Sequence, residues 1–236
     1  MNKHPSIIDI YHGSDHIIEK PLYGFGRRDN DYGSGFYTTE IKERAEEWAF
    51  LFGSDKAVVN HYKLELMGLN ILSLDDYGPL AWIAEVISNR GMNSPVGAAF
   101  TERLIKKYKV DTNAADIIVG YRADDSYGDV IEAFMSGEIN VDEVVRLFYK
   151  GELGEQVFIK SEKAFERLKF SDAYVPKLSN ESTGRAITIA RREVLKFLEN
   201  RRIEIASRFI VPEITVADAV ENTYIYNKEF GYYEKR

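Results

Sequence analysis

The sequence predicts an α+β fold that ends in a helical extension. Three observations carry this expectation. Short apolar or alternating runs read as strands, and stretches with apolar residues at spacings of three and four read as helices. The two kinds follow one another in irregular order. The third observation is negative: Gly33-Ser34-Gly35 lacks the third glycine and the strand–helix–strand unit of a doubly wound dinucleotide fold.

Residues 6–11 read as an apolar strand that delivers Tyr11-His12-Gly13-Ser14. Residues 15–35 read as a long loop holding Pro21, four glycines and Arg27-Arg28, and a loop of that length inside a compact domain is usually functional. Residues 36–39 form a short strand. A helix then starts at Thr39 or Glu40 and runs through Phe52, with Ala45, Trp48, Ala49 and Phe52 on one face. Residues 57–66 alternate as a half-buried strand. Val58, Asn60, Tyr62 and Leu64 share one face, and His61 sits on the more polar one as a structural or solvent-facing residue.

Residues 76–89 and 97–108 read as helices, and 115–121 as a buried strand. Helices follow from about Gly128 to Ser136 and from Asn140 to Phe148, the second with Asn140 as its N-cap. Residues 154–160 form a strand and 162–168 a short helix. From 172 to 182 the composition turns linker-like, which places a boundary near residue 175 between a domain of residues 1–174 and an extension of residues 175–236. The extension reads as a basic amphipathic helix or helix pair over 184–209, with Ile187, Ala190, Val194, Phe197 and Leu198 as its apolar stripe. Pro212 interrupts it, and Thr215 caps a final helix.

A length of 236 residues suits one sizeable domain with or without an appendage, and 44% hydrophobic residues are enough to build its core. With 15 Tyr and 13 Phe, some aromatic rings are expected to line a site. The absence of cysteine excludes disulfides, zinc ribbons and thiol nucleophiles. A net charge of -7 gives no overall attraction for nucleic acid. The local basic runs, Lys106 to Lys109 and Arg185 to Arg202, read as solvated helix faces. No signal-peptide pattern or membrane-length apolar run is found, so a soluble, cytoplasmic protein is expected.

The segment Tyr11-His12-Gly13-Ser14 and the segment Gly33 to Thr39 carry the chemistry. A His, a flexible backbone and a Tyr brought side by side suit a flat polar ligand that is clamped and hydrogen-bonded at once. Asp124 and Asp125 read as a helix N-terminal signal rather than a metal pair. No Ser-His-Asp set and no metal-ligand spacing is found elsewhere.

The order of these motifs resembles the ADP-ribosyltransferase superfamily, in its diphtheria-toxin and poly(ADP-ribose) polymerase branch. The chain is similar in particular to bacterial ADP-ribosyltransferase-like proteins of uncharacterised function. The likeness rests on Tyr11 to Ser14, Asp31 to Tyr37, Ala45 to Ala49, Asp116 to Asp125 and the strand at Gln156-Val157-Phe158, and spans roughly residues 6–170.

The resemblance implies a split, mixed sheet holding NAD as substrate. His12 would bond the adenosine ribose, and Gly13 would let the backbone approach the nicotinamide amide. Tyr37 would stack on the nicotinamide ring, with Ser14, Gly35 and Phe36 beside it. In the loop, Arg27 and Arg28 read either as solvated charges or as a partner for the pyrophosphate, with Arg28 preferred because it is nearer the Gly-rich turn. The third catalytic residue is Gln156 or Glu155. Neighbouring strand residues point to opposite faces, so one of the two is expected to enter the cleft, and the family pattern favours Gln156. The activity implied is mono-ADP-ribosyl transfer to a protein or nucleic acid, as in the toxin of a toxin-antitoxin or phage-defence system, with an antitoxin as partner and no membrane. The alternatives are a non-catalytic module that binds ADP-ribose, NAD or a partner, and an NAD glycohydrolase.

Overall fold

A computed structural model describes residues 6–51, 53, 55–91, 95–122, 125–150, 155–177, 192–203 and 215–235. Two sheets lie at its centre. One is antiparallel, in the order β1 (Ile7–Ser14), β3 (Val58–Glu65), β7 (Leu168–Tyr174). The other runs β2 (Phe36–Thr38), β6 (Glu155–Ile159), β5 (Ile117–Tyr121), β4 (Ile71–Ser73), with β4 and β5 parallel and the other pairs antiparallel. Strand alternation explains the layering. Ile10, Tyr62, Leu64, Ile117, Val157 and Ile159 point between the sheets and bury one another.

The opposite faces are covered by helices. Helix α1 (Lys42–Phe50) packs on the outside of the first sheet, where Ala45 and Ala49 meet Val59. Helices α2 (Pro79–Arg90), α3 (Pro95–Tyr108), α4 (Asp125–Met135) and α5 (Val141–Lys150) cover the second. Their core holds Trp82, Ile83, Leu104, Phe134 and Val144 against Ile118 and Phe158. The N-cap of α5 is as expected: Asn140 Oδ1 accepts from Glu143 N at 2.8 Å and Glu143 returns the bond at 2.9 Å.

Most elements lie where the sequence predicts them, and up to residue 175 the main differences are these. The first helix begins at Lys42. The short helix α6 spans only Glu162–Phe165. The linker-like segment opens inside β7, whose exposed Ser171 and Asp172 disguise an edge strand that continues the sheet through His61 and Asn60. The short edge strand β4 went unread.

Beyond residue 175, a helix α7 is described over 192–203 and α8 over Val216–Glu221, the latter capped by Thr215 and Asp218 as expected. A hairpin of β8 (Tyr224–Asn227) and β9 (Tyr232–Lys235) follows, so the extension is not wholly helical. Ile187, Ala190 and Pro212 lie outside the described residues. Val194, Leu198, Val216, Ala219 and Tyr233 join the core of α2–α5. Tyr233 accepts from Leu80 N at 2.8 Å, supplying a partner for one of the free amides at the start of α2. The described part of the extension is thus built onto the helical layer.

Gly13 sets how closely α1 approaches β1. A Cβ there would stand 2.1 Å from Ala45 O and 2.5 Å from Ala49 N, both backbone atoms. Gly13→Ala is therefore expected to cost about 2 kcal/mol or more in a urea melt, as overpacking against an unyielding backbone does. Gly128→Ala, on an open face of α4, is expected to add roughly 0.5–1 kcal/mol.

Candidate functional site

Among the described residues, the backbones of the two sheets are bridged at one place. Tyr11 and Thr39 form a single antiparallel bridge, with Tyr11 N to Thr39 O at 2.8 Å and the return bond at 3.0 Å. One residue further, the ladder stops. The His12 side chain turns into the seam and its Nδ1 donates to Tyr37 O at 2.7 Å. A carbonyl only accepts, so the proton is on Nδ1 and Nε2 keeps a lone pair. Burial presses the His12 pKa down to about 4, so the ring is neutral at physiological pH. The ring rests on Phe36, 4.5 Å between centroids.

Tyr37 pins the loop that precedes it. Its hydroxyl donates to Gly33 O at 2.8 Å and accepts from Tyr32 N at 2.9 Å. Its ring lies against Phe158 at 4.7 Å and parallel to Tyr32 at 6.3 Å. Burial pushes the phenol pKa up. Gly35 permits this packing, since a Cβ there would stand 2.4 Å from the Phe158 ring. The start of the loop is tied down by β3. Asn60 donates to Ser14 Oγ at 2.9 Å and accepts from Ile18 N at 2.8 Å, and Tyr62 donates to Ile18 O at 2.5 Å.

Beside the seam, at the start of β6, lies an open cleft of about 230 Å³ counting its solvent. It is lined by Thr38, Thr39, Arg44, Trp48, Arg122, Glu155 and Gln156. Most of that volume is open solvent: the enclosed space is about 10 Å³, roughly the room one water needs, so the cleft is shallow as it stands. The Arg122 guanidinium stacks over Trp48 at 3.9 Å. Arg44 is paired with the buried Glu47 at 2.9 Å. Gln156 is 2% exposed, and its Oε1 has no hydrogen-bond partner among the described residues. Glu155 faces Asp75. The hydrogen bond between these two carboxyls, aided by desolvation, pushes Glu155 up to about 8.

The structure brings His12, Phe36 and Tyr37 together at the seam, and Gln156 and Glu155 together at the cleft. Of the last two, Gln156 is buried and Glu155 exposed, as alternation along β6 predicts. The cleft wraps the first residues of β6, so both line it. Tyr37 is 8% exposed, with its ring against Tyr32 and Phe158, and as placed it does not offer a face for stacking. Ser14 is buried and bonded to His16 O at 2.6 Å. Arg28 is exposed on the loop and is not among the cleft-lining residues, and the arginines that line it are Arg44 and Arg122.

Arg44, Trp48 and Arg122 were missed as site residues. In the sequence Trp48 stands in the apolar stripe of its helix and in the Ala45–Ala49 motif, neither of which marks it as a cleft residue. Arg122 was legible as the residue at which the chain leaves a buried strand, and was passed over for the acids after it. Asp124 and the side chain of Asp125 lie outside the described residues.

Among the described residues, no group of His, Asp and Glu is arranged to hold a metal ion, and no helix is long and apolar enough to cross a membrane. No curated protein and no solved structure matches the chain. Residues 8–170, which run from β1 into β7 and include the seam and the cleft, match the model of a family described as "Protein of unknown function (DUF3990)", and the chain belongs to that family.

Proposed function

We propose that the protein is an NAD-dependent mono-ADP-ribosyltransferase acting on a macromolecule. The observation that carries the reading is the buried, unpartnered Oε1 of Gln156, a residue that lines the open cleft beside the His12–Tyr37 seam. The residues suit NAD as substrate. His12 Nε2 is a neutral acceptor for a ribose hydroxyl. Gln156 Oε1 is an acceptor for the hydroxyl next to the reacting carbon. Arg122 and Arg44 bring positive charge to a cleft that takes an anionic dinucleotide.

The reaction is substitution at the anomeric carbon of the nicotinamide ribose. The carbon–nitrogen bond breaks and its electron pair leaves with nicotinamide, which departs neutral. A lone pair of the acceptor forms the new bond, and the acceptor's proton goes to solvent. The transition state is oxocarbenium-like, as in glycoside hydrolysis. Gln156 stabilises it as a dipole. Glu155 is mostly protonated at pH 7 and adds no full negative charge there.

That last point favours a second reading, a module of the same architecture that binds NAD or ADP-ribose without turning it over. Incubation with labelled NAD and cell lysate separates the readings. Transfer of label to a macromolecule is expected. Free ADP-ribose without labelled product would make the protein a glycohydrolase, and binding without turnover would make it a module. Neither labelling nor calorimetric binding would remove NAD altogether.

Gln156→Ala is expected to lower transfer about 10²–10³-fold, as loss of one preorganised polar group does, while Glu155→Ala at pH 7 stays within a few-fold. The reverse pattern would reassign the role to Glu155.

Glu155 also sets a pH dependence of stability. Its folded pKa lies above the ordinary value of 4.5, so its contribution is full below that value and is lost as pH rises through about 8. Glu155→Gln removes this titration. Its melting temperature is expected to match wild type near pH 4 and to exceed it by about 1–3 °C at pH 9. Equal curves at both values would show that the carboxyl pair is not strained.

A further inference from the structure

We infer that Asp31 is a positioning residue that fixes the Gln156 amide with its oxygen toward the cleft, so that this point of the site accepts a hydrogen-bond donor and rejects an anion. The geometry leaves little choice. Gln156 Nε2 lies 3.0 Å from Asp31 Oδ2 and 3.2 Å from Tyr121 O. A carboxylate and a carbonyl are both acceptors, so both amide protons are directed inward. The flipped amide would set its oxygen against two acceptors and leave two donors over the cleft. Oε1 is therefore the atom presented, and it is the one without a partner among the described residues.

Both inward acceptors are themselves fixed. Asp31 is buried and paired with Arg90 at 2.6 Å, and Asn89 donates to its carbonyl at 3.0 Å. Tyr121 O accepts from Trp82 Nε1 at 2.9 Å and from the Tyr32 hydroxyl. Asp31 thus connects the loop before β2 to β6 through one amide. The arrangement also accounts for an amide at 156. A glutamate there would place a second carboxylate about 3 Å from Asp31, where one of the two would have to remain protonated. The groups that suit Oε1 are hydroxyls and N–H groups. Identifying the donor as the ribose hydroxyl rests on the transferase reading, but the orientation of the amide does not.

The test separates the two. In the ligand-free full-length protein, the side-chain amide protons of Gln156 are followed by nitrogen-resolved NMR. Wild type is expected to show a resolved pair with slow solvent exchange. Asp31→Asn is expected to speed that exchange tenfold or more, with the melting temperature within about two degrees of wild type. Unchanged amide signals in Asp31→Asn overturn the positioning role.

A charge exchange gives a second measurement should that variant fail to fold. Gln156→Glu is expected to lower the melting temperature, and adding Asp31→Asn is expected to restore most of the loss. Additive effects of the two substitutions overturn the inference. On wild type, NAD is expected to bind at least tenfold more tightly than its analogue lacking the nicotinamide-ribose 2′-hydroxyl. If neither binds while the amide behaves as stated, the orientation stands and the transferase reading falls.

Discussion

The bond from His12 Nδ1 to Tyr37 O is the constraint on which the architecture of the site depends. Without it, β1 and β2 have the chemistry to continue pairing beyond Tyr11 and Thr39, and the two sheets would run on as one. An imidazole occupying the carbonyl of Tyr37 ends the ladder after a single bridge while leaving no buried acceptor unsatisfied. The sheets then diverge and enclose their shared core of Ile10, Tyr62 and Val157. The bond also fixes the tautomer. The price of a buried His is its charge, and the neutral ring that results offers the seam an acceptor where an imidazolium would offer only donors.

From that seam outward, each element holds the next. Tyr37 follows from the same strand, and its hydroxyl holds Gly33 and Tyr32. That turn carries Asp31 back to α2 and onto Gln156. On the other side, the glycine after His12 lets α1 lie against β1, which brings Trp48 and Arg44 around to the cleft. His12 and Gly13 thus act on opposite faces of one strand. The His opens the sheets, and the Gly sets the helix that walls the opening. A residue at position 13 with any side chain would act on the cleft through α1 without touching a ligand.

Much of this was legible in the sequence, and the exceptions have physical causes. Strands buried on one or both faces, such as β3 and β5, announce themselves through alternation or an unbroken apolar run. The helix caps at Asn140 and Thr215 are local signals and were read correctly. β7 was obscured because an edge strand with one solvated face carries Ser and Asp, the residues that also mark linkers. The hairpin at the C-terminus was obscured because its Tyr-rich strands are four residues each, too short for a period to emerge. At the site, sequence order located the strands that contribute but not the direction of each side chain. Tyr37 and Trp48 are both aromatic residues within motifs that the sequence singles out. Only the tertiary packing shows that Tyr37 is enclosed by Tyr32 and Phe158 while Trp48 borders the cleft.

The electrostatic character of the cleft follows from its pairings rather than from the formal charge of its residues. Arg44 is offset by Glu47 and Asp31 by Arg90, and Glu155 is held largely protonated beside Asp75. His12 is neutral by burial. The lining also holds the Gln156 amide, two threonines and a guanidinium spread over an indole. At Gln156 such a site discriminates by hydrogen-bond polarity, while the arginines of its lining set its charge. Recognition by polarity requires that each dipole be held against rotation, because an amide that turns over presents the opposite character. The depth of the network behind Gln156, reaching through Asp31 to α2 and through Tyr121 to Trp82, is what such a site needs and what a site built on a glutamate, which has no wrong way round, would not.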